Sequence, residues 1–336
     1  MLEATPIQLA RLLGGLKGAA EETRLRILAL LTHGDLTVKD LTTILGQSQP
    51  RISRHLKLMT EAGLINRYPE GAWVYYRLVE TGGVVRLVRT LNELIDLSDA
   101  TIMRDRERLA RVKAEHAEHA ASYFAANAQN WDQIRRLHVP EERVEAEMLR
   151  LVGDRPFRSM LDLGTGTGRA LELFGSLYDT GIGIDASHSM LAVARAKLDA
   201  AGLAHAQVRQ GDIFNLPLPP GGSDLVVLHQ VLHYLDDPAL AVREAARMLA
   251  PGGRMLIVDF APHHLEFLRT EHAHRRLGLD RRLVADWLET AGLEVGRIED
   301  LRAGEEAGET LTVTLWLAMD TRLPVAEGDT DGENDR

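Results

Sequence analysis

Residues 161–168 read LDLGTGTG, and two more acids, Asp185 and Asp212, stand at the ends of the next two β-rich runs. Glycines placed after a strand let the backbone turn sharply and approach a ligand with no Cβ in the way. The helix that follows presents free amides to the same point. A dinucleotide loop requires G-x-G-x-x-G. Counted from Gly164 the second glycine is Gly166, but the sixth place is Arg169, so the pyrophosphate pattern fails. What remains is D-x-G-x-G-x-G from Asp162 to Gly168, followed by GIGID ending at Asp185. A carboxylate at the end of the second strand is placed to accept hydrogen bonds from two ribose hydroxyls. The chemistry indicated is the holding of a nucleoside-like ligand.

The surrounding sequence supplies elements that can position these groups. After Pro156 the strand candidates SMLDLG, TGIGID, AQVRQGD, DLVVLH, RMLIVDF, LEVGRIED and LTVTLWLAM alternate with helical patterns. This alternation is the mark of a doubly wound sheet. The fourth strand ends at His229-Gln230-Val231-Leu232-His233, which brings His229 to the ligand side and offers His229 or His233 as a base. The His- and Arg-rich stretch 271–294 is read either as facing an acceptor or as a surface helix pair.

The first hundred residues follow a different plan. Thr37 caps a short helix closed by Gly46, and Ser48 caps a second running to about Ala62, with Gly63 behind it. Ile65–Leu78 reads as two strands around Pro69-Glu70-Gly71. On the second helix Ile52, His55, Leu56 and Met59 share one side, while Arg54, Lys57 and Ser53 share the other, with Gln49 and Arg51 near its start. A helix of this kind can enter a major groove, with Gln and Arg reaching base edges and Ser and Lys reaching phosphates. From Gly83 to about Ala126 there is little punctuation, and Val88, Ile95, Ile102 and Leu109 recur every seven residues. That seam is expected to meet a partner helix.

The totals agree with several domains in one chain of 336 residues. Net charge is −10, divided as +2 over residues 1–96 and −12 over the remainder, so any contact with phosphate belongs to the front. There is no cysteine, which excludes disulfides and thiolate metal sites. No run of 18 apolar residues and no basic leader before an apolar stretch is seen, and a cytoplasmic location is expected.

Taken in order, ETRLRILALL, LGQSQPRISRHLKLMTEAGLI and GAWVYYRL resemble the winged helix-turn-helix domain of ArsR-type bacterial repressors over about residues 7–96. The resemblance implies a homodimer on double-stranded DNA, with Ser48, Gln49, Arg51, Ser53, Arg54 and Lys57 at the recognition helix and Arg67 and Arg77 on the wing. Metal-sensing members carry two cysteines in a pattern like ELCVCDL. Here DLTVKDL at 35–41 puts Thr37 and Lys39 in those places, so no metal is expected there. His116 and His119 are read as solvated histidines.

The glycine loop with GIDASHSMLAVARAKL, SDLVVLHQVLHYLDDP and LAPGGRMLIVDF resembles class I S-adenosylmethionine-dependent methyltransferases over about 120–318. By that resemblance Gly164, Gly166 and Gly168 line the methionine part and Asp162 holds its amino group. Asp185 takes the ribose, Met190 packs by the adenine, and Asp212 with the Ile213 amide reads the adenine edge, while His229 joins the pocket. The stretch 121–138 resembles a helix that folds over the cofactor, with Tyr123, Phe124 and Trp131 closing it.

The expected architecture is multidomain. A winged helix-turn-helix at 1–96, mostly α with a β-hairpin wing, precedes a long helical linker and lid at 97–155. A Rossmann-like α/β methyltransferase domain of seven strands fills 156–318, and 319–336 form an acidic disordered tail. The expected function is transcriptional regulation with S-adenosylmethionine or S-adenosylhomocysteine as effector. The alternatives are a small-molecule methyltransferase that also regulates transcription, and a DNA-binding dimer with an inert rear domain.

Overall fold

In the computed structural model, which describes residues 7–70, 73–79, 83–131, 141–302 and 311–322, the front helices start and stop for local reasons. After α1 (Leu9–Ala19), the Glu21 side chain accepts the Arg24 amide at the start of α2 (Glu22–Leu31). The short β1 (Leu36–Thr37) leads into α3 (Val38–Leu45), where Thr37 and Asp40 form a reciprocal capping box and Gly46, at φ 64°, ends the helix. Pro50 lies in the first turn of α4 (Gln49–Glu61), where its missing N–H is harmless. Strands β2 (Ile65–Glu70) and β3 (Trp73–Leu78) pair antiparallel, and β1 joins the other edge of β3. Ile27, Leu28, Leu41, Ile44, Ile52, Leu56, Met59 and Leu64 are buried in the core beneath.

The stretch from Gly83 is two helices, α5 (Val85–Leu94) and α6 (Ala100–Asn127). Asp96 accepts the Ser98 amide and hydroxyl, and Asp99 accepts the Thr101 amide, so the two aspartates break one helix and start the next. The heptad seam does not serve a partner chain as expected. Val88, Leu109 and Val112 pack into the core of the same winged helix, and Ile102 is buried too. Arg26 to Asp105, at 2.6 and 2.7 Å, ties α6 to α2.

The seven strands of the second part are β4 (Phe157–Leu163), β5 (Tyr178–Asp185), β6 (Ala206–Gln210), β7 (Ser223–His229), β8 (Leu249–Phe260), β9 (Leu293–Arg302) and β10 (Thr312–Asp320). Their order is β6-β5-β4-β7-β8-β10-β9, parallel except for the two ladders of β10. Around them run α7 (Glu141–Val152), α8 (Arg169–Leu173), α9 (His188–Ala200), α10 (Pro238–Met248), α11 (Phe267–Glu271) and α12 (Arg281–Thr290). The chain starts in β4, builds outward through β5 and β6, then returns to β7. This makes β4/β7 the switch point where such sheets open a crevice at the carboxyl ends of their strands. Because β10 continues to Asp320, the last strand outruns the expected boundary at 318. Residues 323–336 of the expected tail lie outside the described residues.

Contacts divide the chain into two units. The first holds Met1–Tyr123 with His233–Leu240 and Pro262–Gly278, and the second holds Phe124–Leu232, Ala241–Ala261 and Leu279–Arg336. Boundaries at 96, 155 and 318 do not anticipate that two short segments, one after β7 and one after β8, are part of the first unit.

Within that unit a three-charge cluster fixes the wing. Arg77 on β3 grips Asp35 with Nε and Nη2 at 2.5 and 2.6 Å, and Arg276 Nη2 reaches the same carboxylate at 2.8 Å. All three residues are buried. The expectation that Arg77 faces DNA is therefore corrected: its guanidinium is turned inward onto a carboxylate. Burial would raise the Asp35 carboxyl, but the charges of Arg276 and Arg77 and their hydrogen bonds outweigh it and hold it below the usual range.

Asp35→Ala leaves two guanidiniums buried without their anion and is expected to lose about 3–5 kcal/mol in urea unfolding at neutral pH. A carboxyl depressed on folding contributes fully above its unfolded value of 3.8, and the contribution is lost as pH falls below that value toward the folded one. Acid titration of wild type should therefore show a stability loss below about pH 4 that Asp35→Ala lacks.

Candidate functional site

The glycine loop after β4 is shaped by backbone that only glycine accepts comfortably. Gly164, Gly166 and Gly168 have φ of 70, 54 and 82°. A Cβ at Gly164 would stand 2.3 Å from Val231 Cγ2, so the loop is pressed against the chain leaving β7. The amides of Gly164 and Thr165 both donate to Ile184 O, at 2.8 and 3.0 Å, which latches the loop onto β5. Gly183 completes the fit, because a Cβ there would lie 2.7 Å from Thr165 Oγ1.

The acids occupy three successive strand ends. Asp162 is buried and accepts a hydrogen bond from Thr165 Oγ1 at 2.6 Å. Asp185 Oδ2 accepts the Gly166 amide at 2.9 Å and Oδ1 accepts the Ser187 amide at 2.8 Å. The carboxylate at the ribose position thus touches the loop directly. Burial pushes the Asp185 carboxyl up, against those two amides, which pull it down. Asp212 is exposed, with Oδ1 accepting the Phe214 amide at 2.9 Å, and Ile213 is half-buried beside it. Met190, at the start of α9, is buried, and His229 at the end of β7 is half-buried. Trp131 lies 3.6 Å, through its Nε1, from where a Gly166 Cβ would be, and Phe124 meets Trp131 edge-on at 5.4 Å. Tyr123 belongs to the other unit, where its hydroxyl is 2.8 Å from His272 Nδ1 and burial pushes it up to about 12. Residues 132–138 of the expected covering segment lie outside the described residues.

Three contributors to this cradle escaped the reading of the sequence. Thr165 and Gly183 are one, a hydroxyl and a gap that fit each other. A glycine inside a β-strand is a signal of close approach, and the two glycines of GIGID carried it. Val231 is the second. The third is Gln230, a non-glycine residue at φ 53° directly after β7, with its amide on Val258 O at 2.7 Å. Left-handed backbone at such a residue is costly and collects at sites of function.

On the first unit, Ser48, Gln49, Arg51, Ser53, Arg54 and Lys57 are all exposed on α4, and Arg67 is exposed on β2. Ser48 stands at the N-cap, but its hydroxyl makes no capping bond. Lys57 has Glu61 at 3.9 Å, an exposed pair of little energetic weight. Of the expected set only Arg77 is withdrawn. His116 is not simply solvated: it lies 3.6 Å from Asp40 and 3.5 Å from Asp236, both on the same unit. The side chain of His119 lies outside the described residues. Among the described residues no group of three or more potential ligands is arranged to hold a metal ion. No helix among them is long and apolar enough to cross a membrane.

Two family models meet this chain. Residues 21–67 match the bacterial regulatory protein, arsR family, and residues 161–257 match the methyltransferase domain family. The chain carries an ArsR-family helix-turn-helix domain at its front, joined to an S-adenosylmethionine-dependent methyltransferase domain behind. Its front is 53% identical over 74 residues to the arsenical resistance operon repressor of Escherichia coli, covering 22% of this chain and 58% of that protein. The rear is 33% identical over 129 residues to an uncharacterized methyltransferase, YcgJ, of Bacillus subtilis, covering 36% of this chain and 51% of that one. A 37.1 kDa protein of transposon TN4556 in Streptomyces fradiae is 31% identical over 196 residues, which is 54% of this chain and 56% of that protein. The chain therefore spans only a little over half of each of these relatives. The crystal structure of the Bacillus YcgJ protein superposes over 54% of this chain and all of that one, with 20% identity and a TM-score of 0.47.

Gly164→Ala meets both a left-handed backbone and Val231, whereas Gly202→Ala at the same φ of 70° meets nothing within 4 Å. Gly202→Ala is expected to lose about 1 kcal/mol from backbone strain and Gly164→Ala about 2–4 kcal/mol in denaturant unfolding. Equal losses would refute the close packing of the loop.

Proposed function

We propose that this protein is an operator-binding transcriptional regulator whose methyltransferase-type domain takes S-adenosylmethionine or S-adenosylhomocysteine as its effector. The observation that carries this reading is the pairing, in one chain, of an unobstructed recognition face with an adenosyl-type cradle. Seven polar or cationic residues of that face, Ser48 to Lys57 and Arg67, are exposed. The cradle joins three left-handed glycines to a carboxylate at the ribose position.

In the recognition helix, Gln49 and Arg51 sit in the first turn, where a groove-entering helix touches base edges. The uncommitted Ser48 hydroxyl, with Lys57 and Arg67, would take phosphates. A second copy of the chain would cover the apolar face of α1, where Leu9, Leu13 and Leu16 are 80, 48 and 44% exposed at helical spacing. A two-fold dimer of this kind reads a two-fold operator, and we place it in the cytoplasm with that operator.

In the cradle, the backbone of Gly164–Gly168 would follow the methionine end and Asp162 would face its amino group. Asp185 would exchange its bond to the Gly166 amide for ribose hydroxyls, and Asp212 with the Ile213 amide would meet the adenine edge above Met190. The two sulfur ligands differ by a methyl group and a positive charge. A ligand shifts a conformational equilibrium only by its differential affinity for the two states, so that difference suffices for an effector.

A second reading, methyl transfer to a small acceptor, is favoured by one observation: the strained Gln230 beside His229 at the carboxyl end of β7. Strain of this kind fixes side chains where a reacting group must be held in line. Incubating the protein and a cell extract with methyl-labelled S-adenosylmethionine is expected to yield no labelled small molecule. A labelled product lost in Asp185→Ala would replace the effector reading with this one.

Calorimetry should find binding of one or both sulfur ligands to wild type and a loss of about 1.5–3 kcal/mol in Asp185→Ala, where charged hydrogen bonds to ribose are missing. Affinity should fall as pH drops through the raised Asp185 value, because the protonated acid accepts fewer hydroxyls. In operator titrations Arg51→Ala should lose about 1–3 kcal/mol, and Lys57→Ala should flatten the salt slope by about one. Operator affinity indifferent to saturating amounts of both ligands would defeat the proposal.

A further inference from the structure

The segment Pro262–Gly278 follows β8 in the chain yet belongs to the first unit, and its contacts there have a particular character. Beside the buried Leu268 and Leu277, it meets the wing strand β3 through arginines. Arg269 lies over the Trp73 ring at 4.6 Å and within 3.3 Å of the Tyr75 hydroxyl. The Tyr75 hydroxyl donates to Arg275 O at 2.5 Å, and Arg276 stacks on the Tyr75 ring at 4.8 Å while gripping Asp35. At its other end the same segment supplies His272, which holds the Tyr123 hydroxyl at 2.8 Å and meets its ring edge-on. Tyr123 is bonded in sequence to Phe124, the first residue of the stretch whose Trp131 sits against Gly166.

We propose that Pro262–Gly278 is a latch that links the Phe124–Trp131 cover of the glycine loop to the wing strand β3, so that movement of either end is felt at the other. Its role in relaying an adenosyl ligand rests on the effector reading above. The link itself does not.

The charge arithmetic of the cluster favours two settled states over a continuum. Asp35 has two guanidiniums for one carboxylate. When Arg276 leaves, Arg77 still holds both carboxylate oxygens, so the released wing keeps no unpaired anion. When Arg276 is seated, it gains Asp35, the Asp236 carbonyl at 3.3 Å and the Tyr75 ring. A half-withdrawn guanidinium has neither water nor partners, and a buried charge in that condition is strongly unfavourable. Buried ionic contacts roughly balance against hydration, so the seated and released states stand close in free energy, which is what a relay requires.

Amide hydrogen exchange of the full-length protein, without ligand, tests the link. Arg276→Met removes the latch at the wing end and leaves Arg77 on Asp35. It is expected to speed exchange about fivefold or more in Trp73–Leu78 and also in Phe124–Trp131. Tyr123→Phe removes one hydrogen bond at the other end, is mild enough to keep the fold, and should speed exchange in the same two stretches. Effects confined to the mutated end in both variants overturn the latch. Repeating the wild-type measurement with S-adenosylhomocysteine and with S-adenosylmethionine separates the two ideas. If neither ligand slows any amide of Phe124–Trp131, the effector reading fails while the ligand-free variants still decide the latch.

Discussion

One buried carboxylate, Asp35, organises the front of this molecule. It stands just ahead of β1, takes Arg77 from the central strand of the wing hairpin, and takes Arg276 from a segment far along the chain. In an interior of low polarizability such a carboxylate tolerates burial only with its partners fully in place. The hairpin is therefore located by an ionic contact as well as by the apolar side chains beneath it. Tyr75 adds to this, since its ring receives Arg276 and its hydroxyl bonds the carbonyl of the residue before. The wing cannot shift by one residue without reversing which side chains face Asp35, so its register is strongly set.

The rear unit obeys a steric constraint instead. Three glycines in left-handed backbone, one of them against Val231, and a fourth opposite Thr165 bring loop, β5 and the chain after β7 into contact without intervening side chains. The Arg169 that spoils the dinucleotide pattern has a structural role at the start of α8. It reaches Glu145 on α7 twice at 2.6 Å and Glu172 at 2.8 Å, so the helix end is held by ion pairs. An adenosyl ligand fits a turn whose following helix is held this way without the packing glycine that a pyrophosphate demands.

What could be read from the sequence was what local sterics and hydrogen bonding determine. Thr37 and Gly46 mark the limits of α3, Pro50 marks the first turn of α4, and the seven strands appear where β-rich runs alternate with helical ones. The glycine loop was legible for the same reason: positive φ leaves few residue types to choose from. Arg77 was misread because an arginine on a wing looks alike whether it meets solvent or an acid. Its partners lie 42 residues before it, at Asp35, and beyond β8, at Arg276, where no local pattern betrays them. The heptad of Val88, Ile102 and Leu109 was ambiguous in kind, since periodicity reveals an apolar face but not whose core receives it. The segment His233–Leu240 with Pro262–Gly278 was invisible as part of the first unit, because membership of a unit is set by contacts across hundreds of residues.

That long-range membership sets a timetable for biosynthesis. The bond between Asp35 and Arg276 spans 241 positions, so at ordinary ribosomal speeds roughly ten to fifty seconds separate the emergence of its two ends. During that interval a nascent front has its helices and hairpin available but lacks the second guanidinium and the aromatic stacking that seat it. Completion of the DNA-facing half thus waits for translation of most of the half behind it.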